Sequence, residues 1–146
     1  RFVLVGEGRD LPMYKQMVKK YGLERIVFEG YQQPLPYYEK SRIFLMTSDF
    51  EGFAMTLVES QQNAVVPVVM DSFLSLHDIV EDNVDGLIVK NKNVEGFAMA
   101  LKRLMLDDML CRRLAGKGLE TCKRFSVSRV VDQWERLIGG LTQEPE

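Results

Sequence analysis

The residues of this 146-residue chain best placed to do chemistry lie in one stretch, Asp49-Phe50-Glu51-Gly52-Phe53-Ala54-Met55-Thr56-Leu57-Val58-Glu59. Gly52 separates a loop from helix-like sequence, which puts the first helical turn near Phe53 to Met55. The opening amides of a helix have no internal partner and together carry about half a positive charge, so they suit phosphate oxygens. Small residues at Gly52 and Ala54 permit close approach. Carboxylates repel phosphate, yet they accept hydrogen bonds from hydroxyls. Glu51 in the loop and Glu59 deeper in the helix therefore suit a ligand whose phosphates lie between hydroxyl-bearing ends. On spacing alone, the pair reads first as a loop acid and a solvated helix residue, because such pairs are common.

Other candidates carry less. Gly6-Glu7-Gly8 follows a strand-like run, and Glu29 lies where a dinucleotide-binding fold places its ribose-binding acid. The third glycine of that fingerprint falls at Leu11, and Pro12 follows as a helix-start residue, so the glycines read as a tight turn. His77 is the one histidine; near a helix start it reads as structural, although it is close enough in sequence to touch a ligand. Cys111 and Cys122 lack metal-ligand spacing and read as free thiols. The acids are scattered, so no metal site is expected.

These residues need a frame. Short β-branched or aromatic runs alternate with segments of helical period, the pattern of βα units around a parallel sheet covered on both faces, and the class is α/β. Strands are expected at Phe2 to Val5, Ile26 to Glu29, Ile43 to Met46, Pro67 to Met70 and Gly86 to Val89. Leu11, Tyr14, Met17, Val18 and Tyr21 give a three-four apolar spacing, with Gly22 as a stop. Beyond the last strand the pattern is wholly helical: Val94 to Leu106, Asp108 to Phe125 with a break near Gly116, and Ser128 to Leu141. Gly139, Gly140 and the final Gln-Glu-Pro-Glu read as a fraying end. Length and composition favour one domain. A net charge of −2 and the lack of any dense Lys/Arg run argue against nucleic acid as a partner. No apolar run reaches the roughly 20 residues that span a bilayer.

A strand, then Ser-Asp-Phe-Glu-Gly-Phe, then a helix with a second Glu, then a Pro-Val-Val strand resembles the signature of the retaining glycosyltransferases of family 4, which share the two-domain GT-B fold. The resemblance extends through Val5-Gly6-Glu7-Gly8, Phe28-Glu29-Gly30-Tyr31, Asp78-Ile79-Val80-Glu81-Asp82 and Asp85-Gly86-Leu87-Ile88-Val89. With Asp71-Ser72-Phe73 it is most similar to bacterial members that build surface polysaccharides. It implies a Rossmann-like, C-terminal donor-binding domain over residues 1–146, with extra C-terminal helices, lacking its first βα unit and the N-terminal acceptor domain. Position by position, it implies that Glu51 is catalytic and contacts the donor sugar, and that Glu59 meets the ribose. Gly52, Phe53, Ala54 and Met55 would hold sugar and distal phosphate by their backbone, while Tyr31 and Gln32 border the base. It further implies a metal-independent, retaining parent enzyme in the cytoplasm or at the inner face of the plasma membrane. No cofactor is implied beyond the nucleotide-diphosphate sugar itself, and the acceptor would be a glycan or lipid-linked glycan. Departures from the pattern are Asn63-Ala64 in place of a small residue and glycine, and Phe73-Leu74-Ser75-Leu76 in place of paired glycines.

Between Ile43 and Val89 there is no Lys or Arg, while eight acids fall there. A diphosphate needs cations as well as a helix start, and the family's usual Arg and Lys lie in the βα unit expected upstream of Arg1. The chain alone is therefore expected to bind nucleotide diphosphate weakly and to transfer no sugar. Ser128 to Leu141, with Trp134, resembles the terminal helix that packs toward the other domain; left uncovered, it is expected to favour a homodimer. The competing reading is a non-enzymatic α/β regulatory or receiver-like module. Asp71 is its one candidate phosphorylatable acid, and it lacks the paired acids such a site needs.

Overall fold

In the computed structural model, residues 1–141 are described. They divide into two compact units, Arg1–Tyr37 and Tyr38 onward, where composition favours one domain. The five expected strands all form within a residue of their bounds. They fall into two parallel sheets, one in each unit, because a strand pattern specifies strands but not their neighbours.

The first unit holds β1 (Phe2–Val5), α1 (Leu11–Lys20) and β2 (Ile26–Gly30), with β1 and β2 parallel. Gly6 sits at φ 131° and its amide donates to Gly30 O at 2.7 Å, so the paired glycines make the tight turn expected of them. Helix α1 stops at Gly22, which is left-handed at φ 61°, and the Leu23 amide returns to Val18 O at 3.0 Å. This is the glycine-terminated end the sequence predicts. The apolar stripe is only partly covered: Leu11 and Val18 are half-buried, whereas Tyr14, Met17 and Tyr21 are exposed. Helix α2 (Leu35–Tyr38) runs across the division.

The second unit contains β3 (Ile43–Met46), α3 (Met55–Gln62), β4 (Val66–Asp71), α4 (Leu76–Ile79), β5 (Leu87–Lys90), α5 (Val94–Leu106), α6 (Asp108–Thr121) and α7 (Val127–Leu141). The parallel order is β3-β4-β5. Central β4 is buried from Val66 to Val69, as a continuous β-branched run between helices requires. One face packs Leu57, Val58, Leu76, Ile79, Val80 and Cys122 around Val69. The other packs Phe97, Leu104, Leu110, Cys111 and Leu114 around Val66 and Val68. Helices therefore cover both faces, as the alternating pattern implies.

Two helical expectations change. Helix α6 passes through Gly116 without a break, and the change of course comes at a 3-10 turn, Cys122–Phe125. Gly116 has open space around it, so nothing there demands a glycine or stops the helix. At the other end, α7 continues through Gly139 and Gly140 instead of fraying. The expected Gln-Glu-Pro-Glu end lies outside the described residues.

Candidate functional site

Strands β3 and β4 run parallel, so the loops that follow Met46 and Asp71 leave the same end of the sheet. That carboxyl end is where open parallel sheets bind ligands. An open cleft of about 680 Å³ lies there, lined by Phe50, Glu51 and Gly52 from the first loop and by Asp71, Phe73, Leu74, Ser75, His77 and Asp78 from the second segment. Two serines stitch the loops together: the Ser72 hydroxyl donates to Ser48 O, and the Ser75 hydroxyl donates to Gly52 O at 2.7 Å. Ser75 stands where the sequence departs from paired glycines, and the structure gives it this tether. Phe73 turns into the core, while Leu74 is 97% exposed at the cleft.

The residues expected to bind a ligand separate into groups. Glu51 and Gly52 line the cleft together, and a side chain added at Gly52 would meet open space. Ala54 is 2% exposed and packs in the core, so its small size serves packing there. Helix α3 begins at Met55, one or two residues later than expected, and the Met55 amide already donates to Phe53 O at 2.9 Å. Gly52, Phe53 and Ala54 therefore precede the helix, and the Met55 side chain is exposed. The Phe53 ring meets Phe125 edge-on at 5.5 Å. Beside it, Arg124 donates to Asp78 O at 2.8 Å and Ile79 O at 3.1 Å and stacks 4.9 Å from the Phe125 ring. The 3-10 turn thus braces the first loop and α4.

Glu59 is half-buried on the second turn of α3, not freely solvated. Its carboxylate accepts from the Tyr38 hydroxyl at 3.2 Å, and that hydroxyl also lies 3.4 Å from Thr56 O. Burial, and then the charge and hydrogen bond of Glu59, hold the Tyr38 phenol well above its ordinary range. Tyr31 and Gln32 belong to the first unit; Tyr31 is exposed, and the Gln32 amide donates to Glu29 O at 3.3 Å.

Sequence reasoning missed two features. Tyr38 lies in an unremarkable Pro-Leu-Pro-Tyr-Tyr run, and nothing in it signals a partner 21 residues away. His77, read as structural, is in fact exposed in the cleft, with Nε2 3.0 Å from Asp71 Oδ1. A signal existed for it, since it is the sole basic side chain in a long acidic stretch. Among the described residues, no group of three His, Cys, Asp or Glu side chains could hold a metal ion, and no helix is long and apolar enough to cross a membrane.

A cleft over the carboxyl ends of a parallel sheet, walled by carboxylates and hydroxyls, defines a Rossmann-like ligand-binding domain. The chain matches the family described as Glycosyl transferases group 1 over residues 1–121, and it belongs to that family. It is 25% identical over 138 residues to an undecaprenol-diphosphate-linked glycan α-1,4-N-acetyl-D-galactosaminyltransferase of Campylobacter jejuni, covering 94% of this chain and 38% of that protein. It is 26% identical over 141 residues to the poly(ribitol-phosphate) α-N-acetylglucosaminyltransferase of Staphylococcus aureus, covering 94% of this chain and 29% of that protein. The chain thus spans well under half the length of these relatives. A crystal structure of S. aureus TarM in complex with fondaparinux, α-GlcNAc-glycerol and UDP matches with a TM-score of 0.87 at 26% identity, covering 94% of this chain and 28% of that one. The arrangement is that of the GT-B glycosyltransferases.

Proposed function

We propose that this chain is the nucleotide-sugar-binding domain of a metal-independent, retaining glycosyltransferase that extends a glycan or lipid-linked glycan in bacterial surface-polysaccharide synthesis. The observation that carries the reading is the cleft at the carboxyl ends of β3 and β4, where Glu51 and Gly52 stand together in a member of this family. In this reading the sugar lies beside Glu51, which accepts its hydroxyls and orients the anomeric carbon. The distal phosphate meets the loop backbone at Gly52 and Phe53, and Glu59, held by Tyr38, accepts from the ribose. The incoming hydroxyl attacks on the face the leaving phosphate vacates, and the phosphate takes up its proton. The acceptor domain and the cations that offset the diphosphate come from polypeptide beyond these residues, a reading that the fraction of the relatives covered supports. Its place is the cytoplasm, at the inner face of the membrane where lipid-linked acceptors are displayed.

The test is a nucleotide-sugar binding screen on the intact protein, followed by product analysis. Glu51→Gln should lower turnover at least a hundredfold while leaving the melting temperature unchanged, the scale expected for losing one preorganised contact to the reacting group. Full turnover in that variant would refute the role of Glu51.

A further inference from the structure

The cleft that Glu51 lines carries a second charged element. Asp71, the last residue of β4, and His77 in α4 both line the cleft, are both partly exposed to it, and lie 3.0 Å apart from Oδ1 to Nε2. The other ionisable groups lining the cleft are Glu51 from the β3 loop and Asp78 beside His77; Lys90 is the register partner of Asp71 on β5, and Arg124 reaches the Asp78 and Ile79 carbonyls from the 3-10 turn. Without His77, three carboxylates would look into a cleft proposed to admit a diphosphate. Each unit charge at 5–8 Å in a wet cleft changes an anion's affinity by roughly threefold to tenfold.

We infer that His77 is a donor-facing residue that masks Asp71, so that nucleotide-sugar binding strengthens when its imidazole is protonated and weakens when Asp71 stands uncovered. This rests on the donor-site reading above and adds to it a residue and a pH dependence. The geometry gives each ring nitrogen a task. Nε2 is tethered to Asp71, which leaves Nδ1 to hydrogen-bond an oxygen of the bound ligand. As chemical classes, carboxylic acids and alkylammonium groups titrate outside the window from pH 5.5 to 8.0, whereas imidazoles titrate within it. A nucleotide-diphosphate sugar, whose phosphates are both esterified, likewise keeps a constant charge there.

The experiment is isothermal titration of the intact protein with UDP-glucose, GDP-glucose and ADP-glucose at pH 5.5 and 8.0. The variants are His77→Gln, Asp71→Asn and the double variant, each checked by its melting temperature. For the sugar nucleotide that binds, the wild type should bind about threefold to tenfold more tightly at pH 5.5 than at pH 8.0. His77→Gln should be flat and weak, and Asp71→Asn should bind at least as tightly as the wild type at both pH values. The double variant should be flat and restored to the tighter level, a rescue that loss of packing would not produce. Unchanged binding in His77→Gln at both pH values, or a double variant no tighter than His77→Gln, would overturn the masking role alone. If none of the three sugar nucleotides binds any of the proteins, the donor-site reading falls, and the role of His77 falls with it.

Discussion

Replacing Tyr38 by Phe removes one oxygen from the structure and tests what that oxygen does for Glu59. The ring is buried and lies 6.0 Å from Phe44, tilted by 57°, and Phe preserves that packing. What is lost is the hydroxyl that donates to Glu59 at 3.2 Å. A hydrogen bond to an ionised group contributes about 1.5–3 kcal/mol when buried; since Glu59 is half-exposed and water can replace the donor, about 1 kcal/mol is the better figure. For a domain of this size, that lowers the melting temperature by about 4 °C. A freed Glu59 also gains rotamers, so ribose contact should weaken about threefold to tenfold. The loss should appear as a raised KM with kcat nearly unchanged, because a ribose contact is the same in the ground and transition states. There is a pH signature as well. The folded phenol keeps its proton to higher pH than the unfolded one, whose ordinary value is 10.0, so the unfolded chain loses its proton first. The stability contributed by the neutral buried phenol is complete below about pH 10 and is lost as pH rises beyond it; Tyr38→Phe should flatten that alkaline decline. A variant with wild-type KM and an unchanged decline above pH 10 would refute the argument that Tyr38 positions Glu59.

Three stability predictions follow from backbone and packing, each read by chemical denaturation. Ala64 is left-handed at φ 57°, at the end of α3 where the Val65 amide returns to Ser60 O at 2.9 Å, so Ala64→Gly should stabilise the chain by about 0.5–1 kcal/mol. A side chain at Gly86 would come within 2.6 Å of Val80 Cγ1 and 3.1 Å of Pro67 O; Gly86→Ala should cost about 1–3 kcal/mol, and a neutral result would contradict the close approach of these segments. The Thr121 hydroxyl donates at 2.7 Å to the buried Asp85 carboxylate, which also accepts from the Glu81 amide at 2.7 Å, so Thr121→Val should cost about 1–3 kcal/mol by leaving one carboxylate oxygen short of a donor.

What was legible in the sequence was what periodicity and local chemistry encode. Pro67 to Met70 reads as a buried strand because it is a continuous apolar run, and Gly22 reads as a helix end because only glycine takes that conformation easily. The Glu51-Gly52 loop reads as a site because it follows a strand in a βα pattern. Long-range pairings were not legible. No rule of spacing joins Tyr38 to Glu59 or Phe125 to Phe53, since those contacts arise only once α3 and the 3-10 turn pack on the same face of the sheet. Nor is the turn at Cys122–Phe125 legible: Gly116 reads as a stop, whereas packing around a glycine decides whether a helix ends. Ala54 is legible in part: a small residue beside a candidate phosphate site suggests room for ligand, and its packing in the core is a long-range fact that local sequence does not carry.

The two cysteines sit on opposite faces of the β3-β4-β5 sheet, Cys111 on α6 in the layer shared with α5 and Cys122 against α3 and α4, and both are free and buried. Burial also pushes the Cys122 thiol up, which slows its reaction further. The second unit therefore carries a natural pair of alkylation clocks, one sealed into each helical layer. A reagent that modifies both at one rate reports opening of the sheet as a whole, and one that modifies Cys122 first reports the layer beneath the cleft loosening on its own.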